Sequence, residues 1–271
     1  MNLEKVIFIG GSGRCGSTLI AELLDFHPEV ASIFEVHSFV FLLKLIKNGI
    51  QPGMPLLKSQ YKTIEQALLP ETEYNWRITA DEALFSWEKF IIEPVSSGES
   101  LLKSARNWLD YIHTIQIIRD GSNFIAHKTP VLTMYLPEIK KLYPESLFLH
   151  IIRKPQDVIF SYLEQNWGPA NLDEGINWYC ERVESFYKQK ENFSDVIEIK
   201  FEELISNPVL ILDSIQNAAN IQNNTNHILS YNLIDTDKLN HRKNQIREKD
   251  LKYILRTVRE RLPKVALVYE E

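Results

Sequence analysis

The chain has 271 residues, 44% of them hydrophobic, so it is long and apolar enough to form one large domain with a buried core. Its formal net charge of −6 disfavours a broad nucleic-acid-binding surface. The most apolar run after the N-terminus, Phe39–Ile46, is far shorter than the roughly 18 residues that a membrane-spanning helix needs, and no signal peptide is recognisable. The only cysteines are Cys15 and Cys180. We therefore expect a reduced, cytoplasmic protein without a nucleic-acid or membrane partner.

The first predicted unit is a strand, a glycine-rich turn and a helix. Lys5–Ile9 is a β-branched, apolar run typical of a buried strand, and helical spacing of leucines begins at Ser17. The segment between them, GGSGRCG, has the glycines that a tight backbone turn requires. Because the first amides of a helix lack partners and carry the positive end of the dipole, this unit predicts an anion-binding site.

The spacing of this turn resembles a Walker A loop, in which a lysine follows the last glycine. Gly11, Gly16 and Thr18 fit the pattern, but Ser17 takes the place of the lysine and the only cation is Arg14. The Walker lysine contacts the β- and γ-phosphates of a triphosphate. Its absence favours a ligand with a shorter phosphate group.

The next part of the chain is mainly helical. The first helix is expected to end at His27-Pro28, and Glu29–Phe34 leads into Glu35. Ser38 is the expected cap of a second helix that reaches Ile46, and residues 49–60 are predicted to form a loop. Residues from about 64 to 119 are predicted to be helical, with interruptions at prolines 70 and 94 and at residues 96–100. We expect residues 38–120, rich in aromatic side chains, to form a helical insertion beside the site as the wall of an acceptor pocket, although ordinary helix packing explains any one of these aromatics at least as well.

The remaining elements alternate between strand and helix. The predicted strands are Asn123–His127, Leu147–Ile152 and Val196–Phe201, and the predicted helices are Val131–Leu142, a helix from Pro155 through Gln165, Glu174–Glu191, Pro208–Ala219 and Asp250–Arg261. This alternation predicts an α/β fold with a parallel sheet covered by helices on both faces. Ligands of such sheets bind beyond the carboxyl ends of the strands. The segments expected to meet there are Gly10–Thr18, His127–Pro130, Arg153–Ser161 and Phe201–Glu203.

Five segments in this order resemble sulfotransferases that use 3′-phosphoadenosine 5′-phosphosulfate (PAPS), closest in pattern to the tyrosylprotein-type branch and its bacterial relatives. They are GGSGRCGST, LLDFHPEV, HKTP, IIRKPQDVIFSY and IKFEELISNP. The resemblance implies one sulfotransferase domain over residues 1–271 with a P-loop-like parallel sheet. It also implies PAPS as cosubstrate, 3′,5′-adenosine bisphosphate (PAP) as product, and no metal ion.

The resemblance further implies which residues hold the nucleotide. The 5′-phosphosulfate would lie in the loop formed by Arg14, Cys15, Gly16, Ser17 and Thr18. Arg153 and Ser161 would bind the 3′-phosphate. Phe201 occupies the position at which relatives stack an aromatic ring on adenine, although a core role at the end of a strand fits equally well. Lys243, with Arg242 before it, lies near the segment that closes over the nucleotide in relatives, or belongs to a solvated face.

Sulfuryl transfer needs a base for the acceptor proton and cations for the developing charge. By resemblance to the tyrosylprotein type, the base is Glu35, while Lys128 and Arg14 neutralise charge on the sulfuryl group and the leaving phosphate. His37 and His127 are rival bases, and both are expected to border the acceptor site.

The acceptor and the reaction class have alternatives. Because the sequence has no membrane anchor of the kind that tyrosylprotein enzymes of the secretory path carry, we expect a small hydroxylated acceptor rather than a protein tyrosine. A P-loop kinase or other NTPase would need a lysine in place of Ser17. A noncatalytic nucleotide-binding module would keep the phosphate loops but tolerate the loss of Glu35 or Lys128, and both residues are present.

Overall fold

The computed structural model of the chain describes residues 6–68, 76–235 and 246–269. Its centre is a sheet of five strands in the spatial order β2-β3-β1-β4-β5, and every pair is parallel. The strands are β1 (Val6–Gly11), β2 (Val30–Phe34), β3 (Phe124–Lys128), β4 (Leu147–Ile152) and β5 (Val196–Lys200). This architecture confirms the predicted α/β class with a parallel sheet.

Helices fill most of the rest of the described chain. They are α1 (Ser17–Asp25), α2 (His37–Lys47), α3 (Met54–Lys58), α4 (Gln60–Ala67), α5 (Ala80–Trp87), a π-helical turn (Glu88–Ile92), α6 (Glu93–Ser96), α7 (Leu101–Asp120), a 3-10 turn (Pro130–Met134), α8 (Leu136–Leu142), α9 (Pro155–Leu163), α10 (Leu172–Lys190), α11 (Phe201–Ser206), α12 (Pro208–Ala219), α13 (Thr225–Leu229), α14 (Glu248–Arg261) and α15 (Pro263–Val268). Within the described ranges, no helix is both long enough and apolar enough to cross a bilayer.

The sheet separates two apolar cores, as expected for a strand set that is buried on both faces. All six residues of β1 are buried, and their side chains alternate between the two sides. Ile7 and Ile9 join a core formed with α1, α9 and α10, whereas Val6 and Phe8 join a core formed with α2, α5 and α7. Helices therefore cover both faces of the sheet.

The helical segment between β2 and β3 also covers the free edge of β2, which is the outermost strand on its side of the sheet. The outward-facing amide of Ser32 donates to the Asp25 carboxylate at 2.7 Å, and Gln116 of α7 donates its side-chain amide to the Ser32 carbonyl at 2.7 Å. The indole N–H of Trp76 donates to the next outward-facing carbonyl, that of Phe34, at 2.6 Å. Side chains thus satisfy backbone groups that an edge strand otherwise leaves open.

Local details differ from the sequence predictions where tertiary contacts decide them. The strand β2 was not predicted, because its five residues follow the His27-Pro28 break closely and gain their partners only from β3. Ser38 is not a helix cap, since α2 already begins at His37 and its N-cap is Val36. The segment expected to be a loop at residues 49–60 includes α3, and the helix expected over Val131–Leu142 begins as a 3-10 turn.

The predicted interruption at Pro94 is wrong. Helical structure continues through Pro94, from Ala80 to Ser96. The π-helical turn immediately before it includes Phe90, four residues earlier, whose carbonyl a proline ring would meet in a regular α-helix. The wider turn accommodates the ring. At the end of β5, Phe201 is the first residue of α11 rather than the last of the strand.

Candidate active site

The predicted site residues lie in a row at the carboxyl end of the sheet, each at or just after the end of a strand. Glu35 follows β2, Lys128 ends β3, the glycine-rich loop follows β1 and Arg153 follows β4. The register puts Lys128 beside both Phe34 of β2 and Ile9 of β1. The expected base, the expected cation and the expected phosphate loop therefore lie on three adjacent strands.

The glycine-rich loop has a backbone that turns through left-handed conformations at three positions. The φ angles are 84° at Gly13, 51° at Arg14 and 97° at Gly16, which is the N-cap of α1. Among the described residues, no side chain caps α1 at Gly16, so the amides of its first turn are placed where an external anion could accept from them. The loop therefore has the backbone form that the sequence pattern predicted.

Buried side chains pack closely against the glycine-rich loop. A Cβ on Gly16 would lie 2.3 Å from the Phe201 ring, and a Cβ on Gly11 would lie 2.6 Å from the sulfur of the buried Cys15. The Tyr162 hydroxyl donates a hydrogen bond to the Ser12 carbonyl. These contacts fix the loop, and they make Cys15 a packing residue of its interior.

Phe201 is only 3% exposed. One face of its ring is covered by the Arg153 guanidinium, whose carbon lies 4.3 Å from the ring centroid, and Gly16 approaches the ring as described above. This placement favours the core role that the sequence left open over the role of adenine platform.

The residues expected at the two ends of the nucleotide contact one another directly. The Nε of Arg14 donates to the Ser161 hydroxyl at 2.9 Å, and an Nη of Arg153 donates to the Arg14 carbonyl at 3.5 Å. The Arg153 side chain also lies near the Asp157 carboxylate, at 3.8 Å. The residues expected to bind the 5′ group and those expected to bind the 3′-phosphate are therefore in direct contact.

The backbone at Glu35 has an unusual conformation that directs its side chain. Glu35 has a φ of 55°, in the left-handed region that residues other than glycine seldom adopt. Val36 follows with φ −75° and ψ 74°, and the His37 amide donates to the Glu35 carbonyl at 2.8 Å, which together define an inverse γ-turn. The amide of Val36 donates to the Thr129 hydroxyl at 3.2 Å, so the turn is tied to β3.

The Glu35 carboxylate and the Lys128 ammonium form the central ion pair of the site. Lys128 Nζ donates to Glu35 Oε1 at 2.5 Å, with side-chain exposures of 4% for Lys128 and 18% for Glu35. The ammonium also lies 5.0 Å from the Phe34 ring centroid. His37 Nε2 lies 4.0 Å from the other carboxylate oxygen, and its side chain is far more exposed. An ammonium and an imidazole therefore flank the two oxygens of the same carboxylate.

His127 does not border this site, which corrects our expectation. Successive side chains of a strand point to opposite faces, so His127 points away from Lys128 into the core that contains Phe8 and Phe39. It is fully buried, and its Nδ1 lies 2.9 Å from Nε2 of His113. Burial, with a smaller contribution from the Lys128 charge, lowers the pKa of His127 to about 3.

Lys243 and Arg242 lie outside the described residues. Sequence reasoning also missed two contacts beside Glu35: the Thr129 hydroxyl accepts from the Val36 amide, and the Trp76 indole donates to the Phe34 carbonyl. The motif HKTP contains Thr129, but the partner of its hydroxyl is 93 positions away in the sequence and has no local signal.

The chain was compared with known proteins. A family model described as the sulfotransferase family matches residues 6–224. Over 242 residues the chain is 23% identical to the "Putative protein-tyrosine sulfotransferase" of Caenorhabditis briggsae, and the match covers 87% of this chain and 72% of that protein.

Two solved structures have a similar fold. The first is the sulfotransferase domain of the Synechococcus PCC 7002 olefin synthase, with a TM-score of 0.57, 16% identity and coverage of 91% of this chain and 84% of that domain. The second is the sulfotransferase domain from the curacin biosynthetic pathway, with a TM-score of 0.56, 15% identity and coverage of 95% and 98%. At these identities the similarity establishes the fold.

The packing of Gly16 on Phe201 leads to a stability prediction. Gly16→Ala should lower the free energy of unfolding by about 2–4 kcal/mol, because the methyl group adds a steric clash to the cost of a left-handed alanine. Gly49 also has a positive φ, 61°, but its Cβ position is open. Gly49→Ala should therefore cost only about 1–2 kcal/mol in urea unfolding. Equal costs for the two variants would contradict the role of Phe201 as support of the loop.

The burial of His127 predicts a dependence of stability on pH. The folded-state pKa of about 3 lies below the usual 6.5, so the unfolded chain binds a proton that the folded chain excludes. The contribution of His127 is full above pH 6.5 and is lost as the pH falls toward 3. Between pH 7 and pH 5 the loss should be about 2 kcal/mol. Between pH 7 and pH 5, the free energy of unfolding of His127→Gln should therefore fall by about 2 kcal/mol less than that of the wild type, as measured by urea unfolding. Equal losses in the two proteins would refute this.

Proposed function

The chain belongs to the sulfotransferase family, as its motifs predicted, and from that premise we propose that it transfers a sulfuryl group from PAPS to a hydroxyl acceptor with Glu35 as general base. The observation that carries the proposal is the row of groups at the carboxyl end of the sheet. These groups are the glycine-rich loop, the Arg14–Ser161 contact and the Glu35–Lys128 pair. A base beside a phosphate-binding loop is what transfer to a hydroxyl group requires.

The proposed donor fits the charges of the site. The amides of Cys15 to Thr18 would hold the 5′-phosphosulfate at the start of α1, and Arg153 and Ser161 would bind the 3′-phosphate. The Arg14 guanidinium, which donates to Ser161 in this structure, would exchange that hydrogen bond for one to an oxygen of the PAPS phosphosulfate. Bound PAPS supplies an activated sulfuryl group, and the chain supplies its position and neutralises its charge.

The proposed reaction balances without a further reactant. The acceptor oxygen forms a bond to sulfur, the bond between sulfur and the 5′-phosphate oxygen breaks, and PAP leaves. Glu35 takes the acceptor proton, while Lys128, hydrogen-bonded to the same carboxylate, stabilises the charge that moves to the leaving phosphate.

The proposed acceptor is a small hydroxylated compound. The protein tyrosine in the name of the relative is the alternative, so the acceptor panel for the assays below includes both classes.

The inferred 3′-phosphate site predicts a choice of nucleotide. The wild type should bind PAP at least about tenfold more tightly than 5′-AMP, because a charged hydrogen bond contributes roughly 1.5–3 kcal/mol. Ser161→Ala should reduce the ratio of the two affinities measured by calorimetry. Ser230→Ala removes an exposed hydroxyl at the C-cap of α13 and should leave the ratio unchanged. Equal wild-type affinities for PAP and 5′-AMP, or a preference for ATP with magnesium, would exclude the proposed donor.

The base assignment predicts a loss of turnover without a loss of nucleotide binding. Glu35→Gln keeps an oxygen that can accept from Lys128 but removes the basic site, so kcat should fall by roughly 10²–10⁴. PAP affinity should stay within a few-fold of the wild type. His37→Gln is the matched control, because His37 is the other polar side chain beside the carboxylate. A large kcat loss in His37→Gln with near-normal turnover in Glu35→Gln would reverse the assignment.

A further inference from the structure

The peptide unit that joins Phe34 to Glu35 is held by hydrogen bonds on both sides. Its N–H, which belongs to Glu35, donates to the Lys128 carbonyl at 2.8 Å. Its C=O, which belongs to Phe34, accepts from the indole N–H of Trp76 at 2.6 Å. Trp76 is part of the helical segment between β2 and β3, so this segment reaches the backbone of the proposed base.

This peptide needs external support because Glu35 adopts a conformation that its own side chain disfavours. A left-handed glutamate persists only where its surroundings fix it. The inverse γ-turn after Glu35 fixes one side of the residue, and the doubly bonded peptide before it fixes the other. The direction of the carboxylate therefore depends on both.

Trp76 can provide this support because the next residue is anchored to α7. The Arg77 amide donates to the Gln116 side-chain oxygen at 2.7 Å, and the Arg77 guanidinium lies 2.6 Å from the Asp120 carboxylate. The Arg77 carbonyl accepts from the Arg119 guanidinium at 2.6 Å. The backbone that carries the indole is thus fixed to a helix of 20 residues.

We propose that Trp76 is a positioning residue for Glu35: its indole N–H holds the Phe34 carbonyl and thereby sets the direction of the carboxylate toward the acceptor. This inference rests on the proposed role of Glu35 as general base. Loss of the bond would let the peptide rotate, and the carboxylate would move away from the acceptor hydroxyl while the nucleotide site stayed intact.

The test compares two tryptophans that make the same kind of bond. Trp76→Phe removes the N–H donor and keeps an aromatic ring, and we expect kcat to fall by roughly 5- to 50-fold, since small displacements of a reacting group have effects of that order. PAP affinity should stay within about threefold, which also reports that the variant is folded. The control is Trp87→Phe, because the buried Trp87 indole donates to the Leu57 carbonyl at 3.1 Å in the same helical segment. The control should lose stability but keep kcat.

A double-mutant cycle shows whether Trp76 acts through Glu35. If it does, Trp76→Phe should change kcat by less than about twofold in the Glu35→Gln background, because the base is already absent. The same fold loss in both backgrounds, an unchanged kcat in Trp76→Phe, or an equal kcat loss in Trp87→Phe would each overturn the inference while leaving Glu35 as the base. Near-wild-type turnover of Glu35→Gln alone would remove the proposed base and the inference with it.

Discussion

The site depends on the parallel pairing of β2 with β3 at the edge of the sheet. Phe34 is in register with Lys128, and the Glu35 amide continues the ladder by donating to the Lys128 carbonyl. This last rung brings the carboxylate to the ammonium. A slip of one residue would turn each side chain of β2 to the other face, so the register that buries the apolar residues also creates the ion pair.

The Glu35–Lys128 pair adds little to stability by itself, which agrees with the chemical role proposed for it. Removing a lysine charge from water costs several kcal/mol, and a well-formed ion pair offsets that cost without a reliable surplus. Lys128 is nearly buried, whereas Glu35 keeps part of its surface open. In the proposed reaction, the open part of the Glu35 carboxylate is the part that an incoming hydroxyl group can reach, while Lys128 holds the carboxylate from the buried side.

The sequence predicted the parts of the fold whose signals are local. The run over residues 147–152 gave β4 with its observed bounds, and the glycine-rich turn gave the left-handed loop before α1. Parts that depend on distant partners were missed. The strand β2 finds its only strand partner among the described residues in β3, which follows almost a hundred residues later, and the adaptation of the helix at Pro94 depends on a π-helical turn.

The same limit applies to the site residues. The motifs named Glu35, Lys128, Arg14 and Ser161, and the parallel topology brought the strand ends and the helix that carries Ser161 to the carboxyl end of the sheet. His127 was expected beside them because it adjoins Lys128 in the sequence, yet the alternation of a strand sends it to the opposite face. The direct contact of Arg14 with Ser161 joins residues that are 147 positions apart, and periodicity carries no information about such a pair.

The helical segment between β2 and β3 has two tasks that share the same atoms. As a cover for the edge strand it must supply donors to the outward carbonyls of Ser32 and Phe34, and Gln116 and Trp76 do so. The second of these carbonyls belongs to the peptide of the proposed base. If Trp76 positions Glu35 as proposed, a change in this segment that breaks the Trp76 bond also alters the direction of the carboxylate. The stretch of Trp76 and Arg77, held by β2 on one side and by α7 on the other, is therefore the part of the segment where a substitution bears most directly on the proposed base.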